Sequence, residues 1–172
     1  LAEFDNITIV NQDVLKADIN GIIKEYSPHR AVKIVANLPY YITTPVIMRF
    51  IEEHISFSSM VLMVQAEVAE RLSADCGNKD YGVLSVMLQC ECDIEFMFKV
   101  PASVFIPRPQ VSSGVIRLTP KEKRLTAHNR ELFRIIVKGT FAQRRKTLLN
   151  SLSSIKELQS LTKDVISNII SE

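Results

Sequence analysis

A chain of 172 residues that is 47% hydrophobic has apolar material for one medium domain, or for a domain with a small appendage. No apolar run approaches the roughly 18 residues of a membrane-spanning helix, and three cysteines, an odd set, point to reduced thiols in a cytoplasmic setting. The net charge of +2 hides an asymmetry: residues 121–146 carry nine Lys/Arg against two Glu, which leaves the remainder of the chain acidic.

In chain order, residues 6–15, NITIVNQDVL, read as a strand that ends at Asp13. A short helical or loop stretch leads to the turn signals of YSPHR. Residues 31–38, AVKIVANL, form a β-branched apolar run of the kind found in strands buried on both faces. After it, Val46, Ile47, Phe50 and Ile51 recur at helical spacing behind Pro45, a natural first-turn residue. Residues 58–68 suggest a second buried strand running out into Gln65 and Glu67.

Residues 69–82 read as a loop with helical flanks, and 83–91 as a further helix. Then come DIEFMFKV and SSGVIRLTP, a late pair of strands joined by PASVFIPRPQV. This order predicts an α/β sheet closed by an antiparallel ribbon over residues 1–120. Residues 121–172 have a helical pattern, with Leu132, Phe133, Ile136, Val137 and Phe141 on one broad face, and predict a separate small helical domain. Cys90 and Cys92 would share a strand face, but no second pair stands near them and His29, His54 and His128 are scattered. No metal centre is expected.

Ligands of open α/β sheets bind beyond the carboxyl ends of the strands. Asp13, Asn37 and the pair Gln65 and Glu67 would occupy such ends and line one crevice, although each alone suits a turn or cap. The sharper question is why a buried strand should run into Asn37-Leu38-Pro39-Tyr40. A plain exit into a loop is one answer. The chemical one starts from an exocyclic adenine amine, whose lone pair is delocalised into the ring. Two acceptors aimed at its N–H bonds would favour a pyramidal nitrogen and free that lone pair. Asn37 offers a side-chain oxygen, Leu38 a carbonyl that Pro39 makes accessible, and Tyr40 a face for stacking, worth on the order of 1–3 kcal/mol.

The segment VFIPRPQVSSGVIRL, residues 104–118, sets three prolines about Phe105, Arg108 and the residues after them. A rigid connector would explain the prolines but not the leading aromatic. Phe105 is placed to cover the other face of the target ring, which requires an unpaired or flipped nucleotide. In FAQRRKTLLNSL, Arg144, Arg145 and Lys146 are consecutive and would fan around a helix, as phosphate contacts do. A solvated face or an amphipathic membrane helix would fit less well, since Asn150 and Ser151 interrupt the apolar side.

Taken together, NQDVLKAD, VANLPYYITTPVIMRF, VLMVQAEVAERL, KDYGVLSV, VFIPRPQVSSGVIRL and FAQRRKTLLNSL resemble the rRNA adenine N6,N6-dimethyltransferases of the bacterial small-subunit (16S) type. The resemblance implies a Rossmann-like class I methyltransferase sheet followed by a small all-helical domain, with S-adenosylmethionine as methyl donor. It implies that Asp13 contacts the adenine part of that cofactor, that Asn37 borders it, and that Asn37 to Tyr40 hold the target amine while Phe105 packs beside the base. Arg108, Lys138, Arg144, Arg145 and Lys146 are the RNA-binding candidates. The expected partner is ribosomal RNA in a precursor of the small subunit, with two adjacent adenines as substrates, no membrane, and a monomeric state.

One departure stands out. The family's glycine-rich methionine loop and its ribose-gripping acid precede the position of Asp13, whereas this chain starts with LAEFDNITIV and has five glycines, none in a G-x-G pattern. The first two strands are therefore expected to be missing from the sheet, and cofactor binding by residues 1–172 alone to be weak or absent, with the fragment inactive. Two rivals remain. One is a large-subunit rRNA adenine methyltransferase of the macrolide-resistance type, and the other is an assembly factor that binds rRNA without chemistry.

Overall fold

A computed structural model describes residues 4–122, 127–143 and 145–171. Its centre is a four-stranded sheet of order β1-β2-β4-β3, where β1 is Lys33–Asn37, β2 Ser59–Gln65, β3 Cys92–Val100 and β4 Ser113–Pro120. β1 and β2 run parallel, with Asn37 beside Met63. β4 is antiparallel to both β2 and β3, and β3 carries an irregularity between Phe96 and Phe98. The expected late ribbon is there, and β4 inserts between β2 and β3.

The core lies on one face of the sheet. Met60, Leu62 and Val64 of β2 and Ile116 and Leu118 of β4 are fully buried there. Helix α2 (Thr43–Glu52) lays Val46, Ile47, Phe50 and Ile51 onto that face, at the spacing read from the sequence. Each such side chain contributes roughly 1.5–3 kcal/mol by leaving water. Helix α3 (Ala66–Leu72) crosses β4 at Gly114, where a Cβ would come within 2.7 Å of the Ala69 Cβ and 3.0 Å of the Phe96 ring. Only glycine permits that approach. Helix α4 (Val83–Gln89) is tied to α3 because the Gln89 side chain donates to the Leu72 and Ala74 carbonyls, both at 2.9 Å. The Leu72 carbonyl is a helix-end acceptor that would otherwise be orphaned, and that of Ala74 belongs to the loop that follows.

The turn that leads into helix α1 (Ile19–Tyr26) is held to α2 by Arg49, which donates to the Val14 carbonyl at 2.6 Å and the Ala17 carbonyl at 2.7 Å. Beyond β4, α5 (Ala127–Phe141), α6 (Leu148–Leu152) and α7 (Lys163–Ser171) bear out the helical pattern. On α5, Val137 is buried and Phe133 and Ile136 are half-buried, while Leu132 and Phe141 remain exposed. Arg130 on α5 pairs with Glu91 at 2.9 Å, and Arg134 reaches Glu52 on α2 at 3.3 Å.

Several expectations need correction. Residues 6–13 are not a strand: they run without regular structure, and Ile7, Ile9 and Val10 are exposed. A strand needs a neighbour for its N–H and C=O groups, and among the described residues β1 pairs with β2 alone. Nor is β1 buried on both faces, since Val35 is 81% exposed and Lys33 and Asn37 share its side. The described helices cover the other face.

Helix starts at Ala66, directly after β2, so Glu67 sits in the first turn of α3, paired with Arg71, rather than at a strand end. Cys90 caps the end of α4 while Cys92 opens β3, so the two share no strand face. Of the basic triplet, Arg145 and Lys146 are not on a helix. α5 ends at Phe141, and α6 restarts after Thr147, whose extended backbone and side-chain cap on the Asn150 N–H define a new N-terminus. Arg145 and Lys146 lie exposed in the turn between them, and Arg144 falls outside the described residues.

Candidate active site

Asn37 is the last residue of β1, and its alternation along the strand puts it on the uncovered side. Leu38 turns inward and is buried, which anchors the exit from the strand. Pro39 (φ −54°, ψ 136°) then directs the chain into a single 3-10 turn, Tyr40–Ile42. The Pro39 carbonyl is occupied twice, accepting from the Ile42 N–H at 3.1 Å and the Thr43 hydroxyl at 3.4 Å. This short tether between β1 and α2 gives Asn37 and Tyr40 little freedom.

Opposite them runs the proline-rich link. Phe105 has an extended backbone after the short 3-10 turn Ala102–Val104. Phe105, Pro107 and Pro109 face Asn37, Leu38, Pro39 and Tyr40 across an open recess of about 320 Å³ that Ser113 also lines. Two segments separated by about 65 residues of sequence therefore meet around one opening, with two aromatic side chains, an exposed amide and fixed turns. Two aromatic faces and an amide oxygen are the groups by which a flat ring bearing an amine can be stacked and hydrogen-bonded.

Ser113 was not singled out from the sequence. It is buried, and its hydroxyl lies 2.9 Å from that of Tyr40. The bond anchors the phenol to the start of β4 and holds the ring at the recess. It stands next to Ser112 in the sequence, and which of the two serines faces Tyr40 depends on strand register. We expect Ser113→Ala to cost about 0.5–1.5 kcal/mol, and Tyr40→Phe to add little on top of it. Denaturant unfolding of both single variants and the double variant checks this coupling.

The remaining predicted site residues scatter. Asp13 does not line the recess. Its carboxylate accepts from the Leu15 N–H at 2.9 Å and its carbonyl from Lys16 and Ala17, so it organises a turn rather than ending a strand. Gln65 and Glu67 line a different, neighbouring recess with Lys99, Val111 and Ser112. The single crevice expected from Asp13, Asn37, Gln65 and Glu67 is thus not formed. Arg108 is exposed beside the lining prolines, Lys138 is exposed near the end of α5, and Lys146 lines a third recess. Asp13 as placed therefore does not join Asn37 at one site.

Among the described residues, no group of three His, Cys, Asp or Glu side chains is arranged to hold a metal, and no helix is long and apolar enough to cross a membrane.

Comparison with known proteins gives a consistent result. A family profile described as ribosomal RNA adenine dimethylase matches residues 2–170. The ribosomal RNA small subunit methyltransferase A of Clostridioides difficile is 50% identical over 173 residues, covering 100% of this chain and 59% of the relative. That of Alkaliphilus metalliredigens is 47% identical, covering 96% of this chain and 58% of the relative. The chain thus spans somewhat over half the length of these relatives. Among solved structures, a dimethyladenosine transferase from Plasmodium falciparum superposes with a TM-score of 0.72 at 27% identity, over 93% of this chain and 55% of the other. The 23S rRNA methyltransferase ErmE superposes at 0.71 and 24% identity, over 99% of this chain and 64% of the other, a likeness of fold. The fold class is α/β, of the Rossmann-like methyltransferase kind.

Proposed function

Because this chain belongs to the ribosomal RNA adenine dimethylase family, we propose that it provides the base-holding and RNA-binding parts of an enzyme that dimethylates N6 of two adjacent adenines in small-subunit rRNA, in the cytoplasm. The observation that carries this reading is the recess where Asn37, Leu38, Pro39 and Tyr40 face Phe105. S-adenosylmethionine, when bound, would supply an electrophilic methyl group. The chain's own residues prepare the acceptor.

The Asn37 side-chain oxygen and the Leu38 carbonyl accept the two amine N–H bonds, which turns the nitrogen lone pair out of conjugation. Tyr40 and Phe105 stack on the base and exclude water from around it. No general base has to act first, because the amine proton becomes acidic once the nitrogen carries the new bond. The contribution of the chain is chiefly orientation. Residues 121–172 serve, in this reading, as a helical RNA-binding part, in which Lys138, Arg145 and Lys146 contact phosphate together with Arg108 from the proline-rich link.

The substrate is tested by incubating the complete protein with labelled methyl donor and purified precursor small or large subunits. Incorporation into small-subunit RNA at adjacent adenines is expected. Incorporation only into the large subunit would replace this reading with the macrolide-resistance type, and none into either would favour a binding role.

A further inference from the structure

A recess of about 260 Å³ lies beside the one at Asn37, lined by Gln65, Ala66, Glu67, Lys99, Val111 and Ser112. That is below the roughly 300–1,000 Å³ of sites that enclose a whole small ligand, so it suits one group of a longer chain. The two recesses adjoin through consecutive residues, since Ser112 lines this one and Ser113 the other.

Strand register brings Gln65 close to the clamp. Along β2 the buried Met60, Leu62 and Val64 alternate with half-buried Val61, Met63 and Gln65, so Gln65 lies on the uncovered side of the sheet, as Asn37 does. Met63 is the partner of Asn37 in β1, and Ser113 in β4 is the partner of Gln65. One strand across and two residues along puts the Gln65 and Asn37 Cα atoms about 8 Å apart. A dinucleotide step covers that distance. The Gln65 amide makes no hydrogen bond among the described residues, and neither of its polar atoms is sealed from water.

Such an amide has a specific match in RNA. A glutamine donates to N7 and accepts from N6 of adenine, whereas guanine presents a second acceptor at O6, which the amide oxygen repels. Lys99, exposed near the end of β3, makes no ion pair among the described residues and brings positive charge to the rim. The Glu67 carboxylate in the same lining is paired with Arg71 at 2.8 Å, which offsets its repulsion of a phosphate.

We propose that this recess holds the second adenine of the substrate pair while the first is in the clamp at Asn37. Gln65 meets the N6 and N7 edge of that neighbour, and Lys99 meets its phosphate. The inference rests on the reading of the chain as part of an adenine-dimethylating enzyme, and it names the residue that selects adjacent adenines. A strand enters the clamp with one polarity, because the acceptors and stacking faces of the clamp are fixed. The partner adenine therefore occupies this recess during one of the two transfers and not during the other.

Single-turnover methylation of precursor small subunits by the complete protein, with the methyl groups at each adenine counted by mass spectrometry, tests this. Gln65→Ala should slow transfer to one adenine by about tenfold, within the range of one bidentate base contact, and leave the other within about twofold. The unaffected adenine is an internal control for folding. Gln65→Glu, which keeps the shape but loses the N–H donor, should behave as Gln65→Ala does. Lys99→Ala should flatten the salt dependence of RNA binding by about 0.7, the loss of one phosphate contact to a single strand. Equal slowing at both adenines, or slowing at neither, would overturn the proposal. Affinity for short RNAs with adenine or guanine at the neighbouring position decides the matter even where no methyl group is transferred. A preference for adenine that Gln65→Ala erases upholds the assignment, and equal affinities overturn it. Absence of transfer by the unsubstituted protein, with that preference intact, removes the enzymatic reading alone.

Discussion

Replacing Asn37 with Ala is expected to lower methyl transfer by the complete protein by about 10²–10³-fold, the usual effect of removing one oriented hydrogen-bonding group at a reacting centre. RNA affinity should change little. Asn37 lies exposed at the end of β1, on the rim of the recess, and its burial stabilises nothing that the substitution would disturb. The loss should therefore fall on the chemical step and not on folding. Asn37→Asp keeps an acceptor oxygen at the same place and should retain more activity than Ala. The measurement is single-turnover methylation of precursor small subunits, with RNA binding determined separately. An Asn37→Ala protein that methylates at the native rate would remove the amine-gripping role from this residue. A protein that assembles subunits normally after methylation has vanished would show that binding is the primary role.

The second large effect is on stability. Arg130→Met should destabilise the protein by about 3–5 kcal/mol, since it leaves Glu91 as an uncompensated buried charge. The side chains of this pair are only 12% and 5% exposed, and the guanidinium also contacts the His54 ring. For a chain of this size, each kcal/mol shifts the melting temperature by about 2–4 °C, so a fall of at least about 6 °C is expected. Replacing both partners, Arg130→Leu with Glu91→Leu, should restore much of the loss because no lone charge remains. Thermal melts of the two single variants and the double variant decide the matter. An unchanged melting temperature for Arg130→Met would mean that Glu91 finds water or another partner, and that α5 is not held by charge to the turn between α4 and β3.

Much of the fold was legible because its signals are local. The helical spacing of Val46, Ile47, Phe50 and Ile51 placed α2, and the alternating apolar residues after Ser113 placed β4. The grouping of Asn37 to Tyr40 was readable for the same reason, as turn chemistry within four residues. Phe105 could be matched to that group only through the resemblance and the chemistry of a two-sided stack. The failures have a common physical origin. Residues 6–13 have strand-like composition, but a strand depends on hydrogen bonds from a neighbour, which no local pattern supplies. Lys33, Val35 and Asn37 looked buried because the run is apolar, whereas exposure is decided by what packs over each face of the sheet. Arg145 and Lys146 looked helical until the Thr147 cap ended the pattern.

By itself, then, the sequence determined most of the element types from β1 onward, the basic surplus after β4, and the amide, proline and phenol that make the base clamp chemically sensible. These depend on backbone propensity, charge and functional groups, all carried by short segments. Tertiary structure alone decided that Phe105 faces Tyr40 across a single recess and that Ser113 anchors the phenol. It also left Asp13 outside that recess. Those outcomes depend on strand register and on which helix covers which face, and both are properties of the assembled chain.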